Sequence, residues 1–153
     1  MPKRVGLTML VSVMLVLFLG ITAIAQPAAP PAAPPGSAAA ALAVGNAQLG
    51  KPFQYGAEGP DAFSCVGLMR YVLKTAGVDA YAPWVPEAYL STYAPVAPGD
   101  LQPGDIVIYP GWATMYAGDG MVLNSNEVDG QVSLTPMSAV GEPLGIVRPP
   151  YTS

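Results

Sequence analysis

Histidine is absent from the 153 residues, and cysteine occurs once, at Cys65. The first absence removes the side chain that most often carries protons near neutral pH. The two together exclude a typical zinc site, which draws its ligands from several cysteines and histidines. A lone cysteine cannot close an internal disulfide, so the core must hold without staples. Charge is also sparse, at 10% of residues, and no basic run occurs. Nucleic acid is therefore excluded as an expected partner. From Ser37 to Ser153, four basic residues (Lys51, Arg70, Lys74 and Arg148) stand against all ten acidic ones, a formal net charge of −6. Such a domain does not attract anionic lipid or wall polymer nonspecifically.

What is present begins with an apolar run, Val5 to Ala25, behind the short basic start Met1-Pro2-Lys3-Arg4. It closes on Ala23-Ile24-Ala25, the small-x-small pattern of a signal-peptidase site. Residues 1–25 are expected to be a signal peptide. The alternative is an uncleaved anchor, since the run is nearly long enough to span a bilayer. Membrane contact is expected only in that second case. Both readings place the remaining chain outside the cytoplasm. Residues 26–36, "QPAAPPAAPPG", cannot build a core; they form a linker reaching roughly 30 to 35 Å in polyproline geometry. A stand-off spacer and a disordered tail fit this composition equally. Residues 37–153 have the size of one domain, and no internal repeat is visible.

Within that domain, "SAAAALAVGNAQL" predicts a helix capped by Ser37 and stopped by Gly50. "GKPFQYGAEGP" is a loop. A second helix is predicted from Ser64 to Ala76. Cys65, Met69, Val72, Leu73 and Ala76 share one face, Ser64 or Asp61 is the cap, and Gly77 is the terminator. The Pro- and aromatic-rich stretch from Tyr81 to Pro98 predicts loop with one short helix near Glu87–Tyr93. The rest is a series of short β-type runs punctuated by Gly-Asp, Asp-Gly and Pro. Gly118-Asp119-Gly120 predicts a hairpin turn and Asp129-Gly130 another. Helices first and a strand meander second predict an α+β fold, with N-terminal helices packed on an antiparallel sheet of about five strands.

The order of motifs resembles the NlpC family of bacterial cell-wall cysteine endopeptidases, a papain-like group, from about Ala38 to Arg148. "LGKPFQYGAEGPDAFSCVGLMRYVLKTAGV" resembles that family's Gly-Lys-Pro-Tyr loop followed by its Phe-Asp-Cys-Ser-Gly-Leu helix start. "LQPGDIVIY" resembles its Pro-Gly-Asp lead into the sheet. "WATMYAGDGMVLNSN" resembles its hairpin, which ordinarily begins with histidine. The resemblance implies a cysteine nucleophile at a helix N-terminus, where the dipole favours thiolate. It implies a partner histidine on the first hairpin strand and an orienting polar residue on the next. Those positions fall on Cys65, Trp112 and Asn124. Substrate contacts are implied at Phe53, Tyr55, Ser64 and Val66. No cofactor and no metal are implied.

The chain departs from the family where chemistry is expected. Trp112 replaces the histidine, and an indole only donates. Ser64 replaces an aspartate whose charge is expected to hold a substrate amine. Val66 replaces serine, and Phe53 lacks a tyrosine hydroxyl. Asp119 fits a turn builder, while Asp61 and Glu58 are carboxylates poorly matched to a thiol titrating at about 8.5. Cys65 also fits a small buried residue, Trp112 a packing aromatic and Asn124 an ordinary strand polar group. Tyr81, Tyr89, Tyr93 and Tyr109 need be only packing or rim residues. Three readings follow. One is a non-catalytic extracytoplasmic domain binding peptidoglycan stem peptide or a cell-wall protein through the old cleft. The second is a thiol-dependent endopeptidase or acyl-transfer enzyme with an unorthodox base. The third is a scaffold whose cleft binds nothing.

Overall fold

Ser37 adopts an extended backbone, and its hydroxyl accepts from the Ala40 N–H at 3.1 Å, starting α1 (Ala38–Asn46). This and all that follows comes from a computed structural model describing residues 32–153. The leader or anchor expected over 1–25, and most of the linker, lie outside the described residues. Helix α1 stops short of Leu49. The Gln48 side chain folds back to donate to the Val44 carbonyl. Gly50 then takes a φ of +84° and donates to the Val132 carbonyl. Pairing with a distant strand thus draws the chain out of the helix before its local alanine preference is used up.

Helix α2 (Cys65–Thr75) forms as the periodicity predicts. Ser64 is the cap, and its Oγ accepts from the Gly67 N–H at 3.0 Å. Gly77 takes the left-handed conformation after the C-terminus, at φ +75°. Leu68, Met69, Val72 and Leu73 are all fully buried. A 3₁₀ turn (Pro86–Ala88) leads into a one-turn helix, α3 (Tyr89–Thr92).

The strands are β1 (Ala94–Pro95), β2 (Ile106–Tyr109), β3 (Trp112–Gly118), β4 (Met121–Asn126), β5 (Gln131–Pro136) and β6 (Gly145–Arg148). A short helix, α4 (Met137–Val140), precedes β6. All pairs are antiparallel, in the order β1-β6-β2-β3-β4-β5. The α+β reading with helices on an antiparallel sheet holds, with six strands rather than five. The extra strand is two residues long and contains Pro95, which an edge position tolerates; nothing local marks it as a strand. The β3–β4 turn is Gly118-Asp119-Gly120, and Asp119 takes a φ of +52° there.

The sheet has two faces. Ile106, Ile108, Ala113, Met115 and Leu123 join the α2 core, while Val107, Tyr109, Val122 and Ile146 form a second cluster behind them. Gly45 brings α1 against the sheet so closely that a Cβ would collide with the Leu123 side chain. At the other end, Arg148 of β6 grips the buried Asp105 with two hydrogen bonds, at 2.7 and 2.8 Å, fixing β6 beside the start of β2.

Candidate functional site

Cys65 is the first residue of α2, and the loop before it is tied down over the helix start. The Ala57 carbonyl accepts from Ser64 N at 2.8 Å and from Ser64 Oγ at 3.1 Å. A Cβ on Gly67 would strike that same carbonyl, so only glycine lets the loop lie this close. Ser125 Oγ on β4 donates to the Phe63 carbonyl at 2.8 Å and joins the loop to the sheet. The Glu87 carboxylate accepts from the Gly111 N–H at 2.6 Å, joining the 3₁₀ turn to the β2–β3 hairpin. Its titration lies below the usual carboxylate range, chiefly because of that N–H.

These ties frame a groove in which Cys65 is partly exposed. One arm, of about 230 Å³, lies between Tyr55, Ser64 and Val66 on one side and Trp84 and Pro86 on the other. The second, of about 300 Å³, lies between Trp112 and Pro110 and the β4 end at Ser125, Asn126 and Val128. Phe53, Tyr55, Cys65 and Gly111 line both arms. The second arm opens where the sheet splays: β3–β4 pairing begins only at Met115 and Leu123, although β4 runs on to Asn126 beside β5.

The thiol sits here protonated over a wider pH range than a free cysteine. Burial pushes its pKa up and outweighs the backbone N–H groups of Ala113, Val66 and Cys65 itself, which act the other way. The helix start therefore does not make the thiolate the favoured form. Trp112 lines the second arm, and its buried Nε1 has no hydrogen-bond partner. Asn124 lies outside the groove. It is fully buried, donates to Thr135 Oγ1 at 2.8 Å and accepts from the Asn126 side chain. Thus Cys65, Trp112, Phe53, Tyr55, Ser64 and Val66 come together, whereas Asn124 orients polar neighbours on β4 and β5.

Sequence reasoning did not single out Trp84, Pro86, Gly111, Asn126 or Val128. "APWVP" carried one usable signal, a tryptophan flanked by prolines within a loop. Tyr89, Tyr93 and Tyr109 are buried, and Tyr81 is exposed. A larger open depression of about 510 Å³ lies by Asp79, Tyr93, Arg148 and Tyr151. Its charged groups are already engaged, Asp79 with the Tyr93 hydroxyl and Arg148 with Asp105. The groove over Cys65 is therefore the better candidate.

The sequence pattern of the NlpC/P60 family matches residues 50–142, which contain every residue of this groove. The chain belongs to the NlpC/P60 family. Among its relatives, a probable endopeptidase of Mycobacterium tuberculosis is 33% identical over 97 residues, covering 61% of this chain and 25% of that protein. A probable endopeptidase of Corynebacterium glutamicum is 34% identical over 102 residues, covering 65% and 48%. The chain thus spans between about a quarter and a half of these relatives' lengths. Solved structures share the fold. An NlpC/P60 family protein from Bacillus cereus has a TM-score of 0.68 at 22% identity, covering 76% of this chain and 41% of that one. The peptidoglycan hydrolase RipB from Mycobacterium tuberculosis has a TM-score of 0.59 at 24% identity, covering 74% and 62%.

Proposed function

We propose that this NlpC/P60 domain is a non-catalytic receptor that binds peptidoglycan stem peptide through the groove over Cys65. Trp112 carries this reading. It stands where the family's histidine is expected, and the chain contains no histidine to replace it. Amide cleavage by a thiol needs a group that takes the thiol proton and returns it to the leaving amine. An indole does neither, and such assistance is worth about 10² to 10⁴ in rate. Burial of Cys65 deepens the deficit by holding the thiol protonated. Glu58 is no substitute, since its carboxylate pairs with Arg70 at 3.1 Å.

What remains favours binding. Tyr55 and Trp84 are exposed beside Cys65, and aromatic side chains give large contact area at little entropic cost. The relatives named as peptidoglycan hydrolase and probable endopeptidases support a wall peptide as the ligand class and the cell envelope as the location. The leader or anchor expected from the sequence of residues 1–25 fits the same location. The retained, partly exposed Cys65 favours a second reading, a thiol-dependent endopeptidase or acyl-transfer enzyme.

One pair of measurements separates the two. The full chain is titrated calorimetrically with stem peptide, and the same mixture is followed by mass spectrometry for cleavage. Binding without cleavage is the expected result. Turnover that disappears in Cys65→Ala would establish the enzyme. Trp112→His alone is expected to restore little activity, because Ser64, Phe53 and Val66 depart from the family at the same time. Neither binding nor turnover would leave the domain as a dock for a cell-wall protein or as a scaffold.

A further inference from the structure

Residues 79–86 run from the end of α2 to the 3₁₀ turn at Pro86 with no helix or strand between. This strap supplies Trp84 and Pro86, the wall of the first arm that faces Tyr55, Ser64 and Val66. Both of its ends are tied. The Asp79 N–H donates to the Leu73 carbonyl, and the Tyr93 hydroxyl donates to the Asp79 carboxylate at 2.8 Å. Past the other end, Glu87 accepts from the Gly111 N–H. The span between is nearly bare, since the Tyr81 N–H only turns back onto Asp79. Among the described residues, a single hydrogen bond joins residues 80–84 to another element: Arg70 of α2 donates from Nη1 to the Ala82 carbonyl. The same guanidinium lies over the Trp84 ring, 4.3 Å from its centroid. Its Nε donates to Glu58 at 3.1 Å, and Glu58 belongs to the loop that carries Tyr55 and Gly56 on the facing side of the arm. The Arg70 side chain is 17% exposed, so these contacts are made largely out of water, where they gain strength. The strap's own buried residues are Ala82 and Pro86. A methyl and a pyrrolidine ring, each two residues away, do not fix the direction of an indole.

We propose that Arg70 is a latch, a positioning residue that holds the 79–86 strap down on α2 and sets the Trp84 wall of the groove from behind. Arg70 lines neither arm. It acts through Trp84 and Ala82 on one side and Glu58 on the other, so one guanidinium spaces both walls of the first arm. Loss of the guanidinium lets the strap lift, and the indole then leaves the arm. A ligand held against Trp84 in turn favours the strap-down state. The latch stands on its own contacts, while its coupling to a ligand rests on the receptor reading.

The test is limited proteolysis of the full chain with chymotrypsin, which cuts after aromatic residues and finds Tyr81 and Trp84 on the strap. Cleavage of a folded chain tracks the population of its locally opened form. Arg70→Met keeps a long stem and loses the charge and the donors. It is expected to speed the cuts after Tyr81 and Trp84 by roughly twofold to thirtyfold, the span that one cation–π contact corresponds to. Cuts after Tyr109 and Tyr116, in the sheet, should keep their rate. Arg70→Lys, which keeps the cation but not the fork, should fall between the two chains. Strap cuts no faster than in the parent chain overturn the proposal. So does an equal rise at every site, which marks a general loss of stability. If Arg70→Met does not fold, Arg70→Lys carries the same comparison. Stem peptide at ten times its Kd should slow the strap cuts about tenfold, because a ligand bound only by the strap-down state withdraws it from opening. A peptide that binds without protecting the strap overturns the positioning role and leaves the receptor reading standing. If the peptide does not bind at all, the receptor reading fails, and the comparison of strap and sheet cuts still decides the latch.

Discussion

On α2, Leu68, Met69, Val72 and Leu73 have no solvent exposure, whereas Cys65, one turn earlier, faces a groove rimmed by Tyr55 at 87% and Val128 at 94% exposure. The buried face follows the ordinary rules of a core: apolar side chains at helical spacing, packed on β3 and β4. The N-terminal end leaves several polar demands open. A thiol is held protonated, an indole N–H has no partner and large aromatics stay in solvent. The residues that fill the helix core and those that line the groove are therefore largely different sets, sharing Ser64 and Val66 at their boundary. Substitutions in the groove can alter a family's reaction while the residues that specify its fold keep their roles.

That contrast can be tested from its strongest side first. Leu73→Ala opens a cavity under the helix and is expected to cost about 2 to 5 kcal/mol of folding stability. Urea denaturation checks it. A loss well below that range would mean that the helix core is looser than its burial implies. In the groove the readout changes from stability to affinity. Trp112→Ala is expected to weaken stem-peptide binding by about 1 to 3 kcal/mol, measured by calorimetry. Cys65→Ala should leave that binding nearly unchanged. The reverse pattern would move the site's function back to the thiol.

Ser64 sits on the boundary between the two regions, because it caps α2 and lines the groove. Ser64→Ala is expected to cost about 1 kcal/mol of stability through loss of the cap. Ser64→Asp should keep most of it, since aspartate also caps well. Denaturation of the pair separates the capping role from any role in ligand contact.

The smallest expected effect concerns pH. Burial raises the Cys65 pKa, so alkylation by iodoacetamide should be slower than for free cysteine at neutral pH. It should rise only above the usual thiol range. The unfolded chain loses this proton first. The group's contribution to stability is therefore present below the unfolded pKa and lost as pH rises toward the folded one. Fast alkylation at neutral pH would show a thiolate held by the helix start and would revive the catalytic reading.

Much of this was legible without coordinates, for a common reason. The Ser37 and Ser64 caps, the Gly77 terminator and the Asp119 turn each depend on residues a few positions apart, and local chemistry leaves its mark in local sequence. The family's motifs are similarly short, so the positions of Cys65 and Trp112 could be carried over by counting. Counting also marked Asn124, whose fully buried side chain lines neither arm but donates to Thr135 and accepts from the groove residue Asn126. The end of α1, the two-residue β1 and the Glu87–Gly111 tie had no local signature.

The sequence by itself determined where the two main helices start, the hairpin turns, the absence of any imidazole and the membership of a family. Only the tertiary structure decided what surrounds the thiol. Residues 53–56, 84–86, 110–112 and 125–128 are distant in the chain and meet only when the loop closes over α2 and the sheet splays at β3 and β4. Tertiary packing also set the thiol's protonation, because desolvation depends on every atom packed around Cys65 and not on its neighbours in sequence.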